Sequence, residues 1–559
     1  MARKFSSEQA KNPRPRAVLP DPFYYLSNFE TVLASLNEWY ADLWTVEERQ
    51  FLATIKELPK TSRALLVRMA MREGVLFRAS RLIYPEIGET AAAIASLIRA
   101  GWVDDDPELG VDDLQQLVTK QELLQHFPWL RSYRNLTKPD LVAVLRGQCP
   151  EGRSFQAWCK DSSDRVYQFL VAPICERFRL MFFGNFHQDW REFVLRDLGV
   201  FVYEKVPSHS RPFATRAQVD AFEQLYRCGR WLGTGVALDR VIAAIPAPIA
   251  DSDWLEQRRQ KLIFHVGQAA ERAGDPNSAL AVYSTCAHRG AHLRRIRLLE
   301  RAQEREIARD LCLAALRTSE SEADTEQLGR LLQRLNRKLG VAAKLSRRAP
   351  MIPTFEIVVA PPTGDDPVEY CAVDYLKSAT DGHCSVHYVE NGLVNSLFGL
   401  LCWRAIFAPI AGAFFHEFQH GPSDLSSGYF YARRRQEFAE CFAELESEQY
   451  KATIRRHLSE KAGIQSPFVA WRLLSKSLLE SALTCFPAAH LRVWFEWIVR
   501  DAENRAGFPD LVQFWPRERR YRMIEVKGPG DRLQDNQRRL LEYCLSNEMP
   551  VAVCHVRWG

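Results

Sequence analysis

Apolar residues recur every three or four positions from 29 to 58, in FETVLASLNEWYADLWTVEERQFLATIKEL, and that period predicts helix. Residues 62–103 follow as two or three shorter helical segments ending in IASLIRAGWVDD. The helical period continues through VDDLQQLVTKQELLQHF and NLTKPDLVAVLRG. In the second piece Thr137 stands at an N-cap, Lys138-Pro139 opens the helix, and Asp140 suits its first turn. Leu136, Leu141 and Leu145 fall near one face. Residues 151–250 read as mostly helical, with a strand predicted at VFVYE, 201–205, and 254–345 is strongly helical. After a Pro-rich break at 347–367 the pattern changes. LFGLLCWRAIFAPIAGAFF, 397–415, is apolar enough to suggest a membrane span, but Arg404 at its centre and Pro409 make it a buried helix instead. DLVQFW and YRMIEVK, joined by the polar PRERR, read as a β-hairpin. RLQDNQRRLLEYCLSNE is an amphipathic helix, and VAVCHVRW returns as an apolar strand.

Several helical stretches resemble known modules. Residues 21–103 have the arrangement of a winged-helix-like unit, or of a plain helical packing module. The segment 104–150 resembles a SAP module, a small DNA-binding helical hairpin. Between 251 and 350 the chain repeats: AERAGDPNSALAVY (270–283) aligns with LERAQEREIARDLC (299–312), matching Glu271 with Glu300, Arg272 with Arg301, Ala273 with Ala302 and Ala279 with Ala308. Small residues where helices cross, one pair per unit, are the logic of TPR-like stacking. Arg294, Arg295, Arg297, Arg301 and Arg305 make one flank basic, a solvated face or a phosphate-tracking one.

Composition narrows the classes. The 559 residues suffice for about three or four domains, and 47% hydrophobic content excludes global disorder. Lys plus Arg exceeds Asp plus Glu by 74 to 69, which permits a nucleic-acid partner without demanding one. The 13 cysteines form no C-x-x-C pair, so a reducing compartment and no zinc ribbon are expected. Residues 1–20 are a basic tail with no secretory signature. No G-x-x-x-x-G-K-[ST] loop occurs, which speaks against ATP-driven unwinding.

Two places carry candidate chemistry. HEFQH, 416–420, has the spacing of a helical zinc site, with Glu417 as base and Glu437 or Glu440 as a third ligand. Gly421-Pro422 stops the helix there, and a pair of helix-end histidines is the preferred reading. The hairpin is the stronger candidate. Glu525 and Lys527 share a strand face, with Val526 turned away and Asp510 able to sit beside Glu525. Two carboxylates, joined by the Val526 carbonyl, suit a hard cation such as Mg²⁺ or Mn²⁺, and Lys527 can orient water and offset phosphate charge. Gln537 on the following helix can face the same wall.

Strand–turn–strand–helix–strand with D…E-x-K on the hairpin resembles the PD-(D/E)xK nuclease core. PDLVQFW…IEVKGPGDRLQDNQ…CHV closely resembles the virus-type replication-repair (VRR) nuclease domain, and the order of the whole chain is similar to the Fanconi-anaemia-associated nuclease family. The resemblance implies an α+β multidomain protein: a mostly helical N-terminal two-thirds (SAP-like hairpin, helical connector at 151–250, TPR-like helices), then an α/β nuclease core at 368–559. It implies a metal-dependent, structure-selective DNA nuclease, with 5′-flap and 5′-to-3′ exonuclease action in interstrand crosslink repair. Asp510, Glu525 and Lys527 take the catalytic places, Glu390 is the third metal carboxylate, Gln537 the helix glutamine and Gln419 an auxiliary group. Lys138, Arg433, Arg434, Arg435 and Arg532 are candidate DNA contacts, with Arg519, Arg520 and Arg522 at the hairpin turn. Branched or flapped DNA is the expected partner, with repair proteins on the TPR-like helices and no membrane. The chain departs from the family in lacking a Cys-rich ubiquitin-binding finger and in carrying Asn536 where Lys is often found. A bacterial member is expected, cytoplasmic and nucleoid-associated; a eukaryotic one would be nuclear. The rivals are a zinc metallopeptidase using HEFQH and a non-catalytic DNA-junction scaffold.

Overall fold

A computed structural model describes residues 21–149, 151–207, 210–249, 251–318, 322–341, 350–361, 367–379 and 384–559; the expected basic tail lies outside them. Two compact units are present, one of residues 1–202 with 211–216, the other of 203–210 with 217–559.

In the first unit, helices Tyr24–Tyr40, Val46–Glu57, Lys60–Ala70 and Thr90–Arg99 accompany a three-stranded antiparallel sheet of β1 (Leu76–Arg78), β2 (Val103–Asp104) and β3 (Val166–Phe169), in the order β1-β3-β2. The middle strand therefore comes from beyond the SAP-like segment, which is inserted into a winged-helix-like unit. Thr45 and Thr119 each open a helix with a reciprocal capping box. Thr137 occupies the N-cap position of the helix Lys138–Gln148, but its hydroxyl donates to Asp140 rather than accepting a backbone N–H. Leu141 and Leu145 are buried there, whereas Leu136 is exposed, so the predicted apolar face is narrower than expected. The predicted strand at 201–205 does not form.

The second unit begins with an array of helix pairs. Helices Asp253–Arg272 and Pro276–Ser284, then Arg289–Arg301 and Arg305–Thr318, repeat one design, followed by Glu322–Leu339. The aligned Ala279 and Ala308 are both fully buried. Both inter-helix turns place their aligned residue, Gly274 or Gln303, in the left-handed region, at φ 78° and 66°. The matched Glu271 and Glu300 each take a cation from a later helix, Arg294 in one case and Arg334 with Lys338 in the other. The repeat in sequence is thus a repeat in geometry. Arg330 pairs with Asp535 at 2.6 Å, and Arg289 with Asp501 and Glu503, tying the array to the nuclease region.

That region holds a five-stranded mixed sheet of β4 (Thr354–Val359), β5 (Ser385–Tyr388), β6 (Leu511–Trp515), β7 (Arg520–Lys527) and β8 (Val551–Trp558), in the order β4-β8-β7-β6-β5. β4 and β7 flank β8 in parallel; β5, β6 and β7 run antiparallel. The Pro-rich break thus contains an edge strand: TFEIVV alternates as a strand should, although prolines on either side make it read as linker. One sheet face, with Leu511, Ile524, Val526 and Cys554, packs on the helix Val368–Ser378. The other, with Val512, Phe514, Met523 and Val553, packs into a large core with helices Gly392–Leu401, Ala488–Arg500 and Asp535–Ser546.

The apolar stretch 397–415 is not one helix. It breaks after Leu401, continues as the short helix Trp403–Ile406, and then loops. Every residue from Leu393 to Leu401 is buried, while Arg404 reaches outward to Glu440 at 3.2 Å. A Cβ on Gly399 would lie 2.8 Å from the Phe468 side chain, so this helix packs at a distance that only glycine allows. Among the described residues no helix is long and apolar enough to cross a membrane.

The triple arginine separates into three fates. Arg434 is fully buried and makes two 2.9 Å bonds to the Asp424 carboxylate, with Phe430 beneath its guanidinium. A DNA contact from Arg434 is therefore excluded; a basic triplet does not reveal in sequence which member turns inward. Arg433 is partly exposed and also paired with Asp424, at 2.8 Å. Arg435 is exposed. Arg434→Ala strands a buried carboxylate and is expected to destabilise the protein by about 3 kcal/mol, the low end for a broken buried pair because Arg433 remains. Arg435→Ala is expected to stay within about 0.5 kcal/mol. Denaturant midpoints measure both, and equal effects would refute the buried pair as a structural anchor.

Candidate active site

Sheet register brings the hairpin's charges together. Leu511 pairs with Ile524, so one step further sets Asp510 opposite Glu525. Alternation sends Glu525 and Lys527 to the face of Met523, and Val526 to the opposite core. Asp510 takes the parity of Val512 and Phe514, the same face as Glu525. The predicted wall of two carboxylates and one ammonium is present.

All three residues are largely buried, at 8%, 1% and 8% exposure for Asp510, Glu525 and Lys527. The Val526 N–H donates to Asp510 Oδ2 at 2.8 Å. Lys527 Nζ lies 2.8 Å from Glu525 Oε1 as an ion pair. Apart from that ion pair, neither Glu525 oxygen meets a hydrogen-bond donor among the described residues. Burial above all pushes the Asp510 carboxyl up to about 6; the charges of Glu369 and Glu390 add to this, while the Val526 N–H and Lys527 oppose it. Burial and then the Asp510 charge push Glu525 up to about 8, against the pull of Lys527. Two acids that resist ionisation while facing an ammonium form a site short of positive charge.

Glu390 enters from β5. The backbone N–H groups of Val389 and Glu390 donate to the Asp510 carbonyl at 2.7 and 3.2 Å, so Glu390 sits beside Asp510 by main-chain geometry. Its side chain is exposed and accepts from the Tyr388 hydroxyl at 2.5 Å. Among the described residues no three His, Cys, Asp or Glu side chains converge as a finished cation cage. The donor set nevertheless fits a hard cation: it is all carboxylate oxygen, and one oxygen of its most buried member, Glu525, has no partner among the described residues.

Local sequence explains how both sides of the site are held. Asn391 adopts φ 50°, a left-handed turn that Asn tolerates, and launches the helix Gly392–Leu401. Its Oδ1 accepts from Phe508 N at 2.9 Å, and Asn395 Nδ2 donates to Arg505 O at 2.8 Å. The loop before Asp510 is thereby stitched to the helix after Glu390. Sequence reasoning missed Glu369, Tyr388, Asn391 and Asn395. The turn-prone E-N-G was the one available signal for Asn391; Glu369, in the first turn of Val368–Ser378, had none.

Other predicted residues stand apart. Gln537 Oε1 accepts from Gln534 N at 2.9 Å, so this side chain caps its own helix. Lys138 is half-buried in the first unit, and Arg532 is exposed in the loop after β7. Arg519 takes the left-handed turn position at φ 49°, Arg520 stacks on Trp515, and Arg522 lies over Phe355. HEFQH is not helical. His416 is buried and its Nδ1 accepts from Phe418 N at 3.1 Å, while His420 meets Gln465 and the Tyr203 ring. Gln419, expected as an auxiliary group, spends its amide on local backbone: Phe415 N, His416 N, Ala413 O and Gly421 O. The one-turn spacing of a helical zinc site is absent, which removes the peptidase reading.

Comparison with known proteins agrees with the hairpin. Residues 445–558 match the VRR-NUC domain, 23–104 the FAN1 HTH domain, and 108–158 the Fanconi anemia-associated nuclease SAP domain. A Fanconi-associated nuclease 1 homolog of Pseudomonas aeruginosa is 48% identical over 553 residues, covering 98% of each chain. The homolog of Arabidopsis thaliana is 22% identical, over 96% of this chain and 67% of its own. The crystal structure of paFAN1 bound to 2nt 5′ flap DNA with gap superposes with a TM-score of 0.93 at 48% identity, over 97% of this chain and 100% of that one. With identity and backbone both sustained from the winged-helix-like unit to β8, the chain belongs to the Fanconi-associated nuclease 1 family and is a nuclease.

Proposed function

We propose that this chain is a divalent-metal-dependent, structure-selective deoxyribonuclease that cuts 5′-flapped DNA, trims 5′ to 3′, and serves interstrand crosslink repair. The observation that carries the reading is the buried Asp510–Glu525–Lys527 face, with a Glu525 carboxylate that has Lys527 as its one charged partner among the described residues. The similar paFAN1 structure holds a 5′ flap with a gap, which supports the substrate class. The TPR-like helices are proposed to receive repair proteins, and a nucleoid-associated cytoplasmic location goes with a bacterial member.

Asp510, Glu525, Glu390 and the Val526 carbonyl would hold Mg²⁺ or Mn²⁺, which when bound lowers the pKa of the attacking water and offsets charge developing on the phosphate. Asp510 is oriented for this by the Val526 N–H, which occupies one of its oxygens. Lys527 places a positive charge at the same face, where it can orient water and attract the scissile phosphate. The buried surround keeps these charges in low dielectric, where each is worth more than in water. Arg435 and Arg532 are exposed, and with Lys138 in the SAP-like helix are the proposed phosphate contacts.

Labelled 5′-flap DNA tests the reading. Asp510→Ala and Glu525→Gln are expected to lose cleavage by about 10²–10³-fold or more, chelation to stop it, and His416→Ala to retain it. Cleavage surviving Asp510→Ala would overturn the assignment. A second expectation concerns stability. Both acids have folded-state values above their unfolded ones (about 4), so the folded state binds more protons and metal-free stability falls as pH rises from about 4 to about 8. Glu525→Gln removes the penalty and should melt about 2–4 °C above wild type at pH 8 without metal, with a smaller gap at pH 5. Mn²⁺ should raise the wild-type melting temperature at pH 8 more than that of the variant. Identical melting of both proteins across this range would contradict a charge-strained pair.

A further inference from the structure

Glu390 stands two residues beyond Asn-free β5's last residue, Tyr388, so the two side chains can meet along one face of the extended chain. They do: the Tyr388 hydroxyl donates to Glu390 Oε2 at 2.5 Å. The Glu390 backbone is fixed separately, because its N–H donates to the Asp510 carbonyl. What remains free is the rotamer of an exposed, flexible side chain, and the hydroxyl is the group that restrains it. The Tyr388 ring is held in turn against Tyr370 on the helix Val368–Ser378, with centroids 5.5 Å apart, and packs on the buried cluster beneath that helix. A rigid aromatic stem, a hydroxyl at its tip and one bound oxygen on Glu390 leave the second oxygen available.

We infer that Tyr388 is a positioning residue for the nuclease site: its hydroxyl holds one Glu390 oxygen so that the carboxylate stays at the Asp510 end of the sheet as the third ligand of a divalent cation. The inference rests on the metal reading given above. Carboxylates that bind metal are commonly fixed by a hydrogen bond to their outer side, and removing such a bond costs about 10–100-fold in metal affinity or activity. Tyr388 does not touch the substrate or the ion; it acts through Glu390. Glu369, whose charge reaches both Asp510 and Tyr388, adds negative potential at the same corner.

The test is a Mn²⁺ titration of the full chain without DNA, following free Mn²⁺ by electron paramagnetic resonance. Wild type, Tyr388→Phe, Glu390→Gln and the double variant are compared. Tyr388→Phe keeps the ring against Tyr370, and an unchanged melting temperature in metal-free buffer checks the fold. Its Mn²⁺ dissociation constant is expected to rise by about tenfold, and the Mn²⁺ concentration for half-maximal flap cleavage by a similar factor. In the Glu390→Gln background the same change should add nothing. Wild-type affinity in Tyr388→Phe, tighter binding, or independent additive losses would each overturn the role of Tyr388 while leaving the metal reading in place. Absence of Mn²⁺ uptake by the wild-type chain would overturn both.

Discussion

A carboxylate with 1% exposure and a single ammonium beside it among the described residues is costly to keep charged, and Glu525 is in that position. Lys527 supplies charge at 2.8 Å to one of its two oxygens. Asp510, directly across the ladder, makes matters worse by adding like charge. Folding alone would not retain this arrangement, because hydrophobic residues of similar volume would pack there at lower cost. The corner is intelligible as a receptor for positive charge, and the surrounding architecture serves to keep it deficient.

That architecture acts through backbone pairing, reinforced by two asparagine side chains. Antiparallel pairing of β6 with β7 fixes Asp510 against Glu525, and two N–H groups on the Asp510 carbonyl fix the approach of Glu390. The asparagines at 391 and 395 then lock two loops that lie more than a hundred residues apart in sequence. The strand pairing and the bonds to the Asp510 carbonyl are main-chain hydrogen bonds, and each asparagine amide bonds to main chain, so the spacing of the acids is set by the most rigid parts of the fold.

Much of this was legible in the sequence. The hairpin, its face alternation and the strand at 551–558 follow from period-two patterning bounded by Pro and Gly. The duplicated helix pair follows from the 14-residue match at an offset of 29, and the structure adds a left-handed turn shared by Gly274 and Gln303. What was not legible depended on contacts between distant segments. β4 was hidden because flanking prolines outweighed its short alternation, and β3 because a SAP-like insertion separates it from its partners. HEFQH had the right letters in a segment that does not form a helix. Arg434 could not be told from Arg433 and Arg435 until Asp424 was placed beneath it.

The order of strands has a consequence for biosynthesis. β8 lies between β7 and β4 and comes after both in the chain. Until residues 551–558 emerge, the strand carrying Glu525 and Lys527 has one edge unpaired, and β4 has no neighbour in the sheet at all. A growing polypeptide therefore exposes a sticky, half-built platform on the ribosome. The face bearing Asp510, Glu525 and Lys527 gains its last neighbouring strand when β8 pairs, and an interrupted translation product would carry the upstream helical modules with that sheet unfinished.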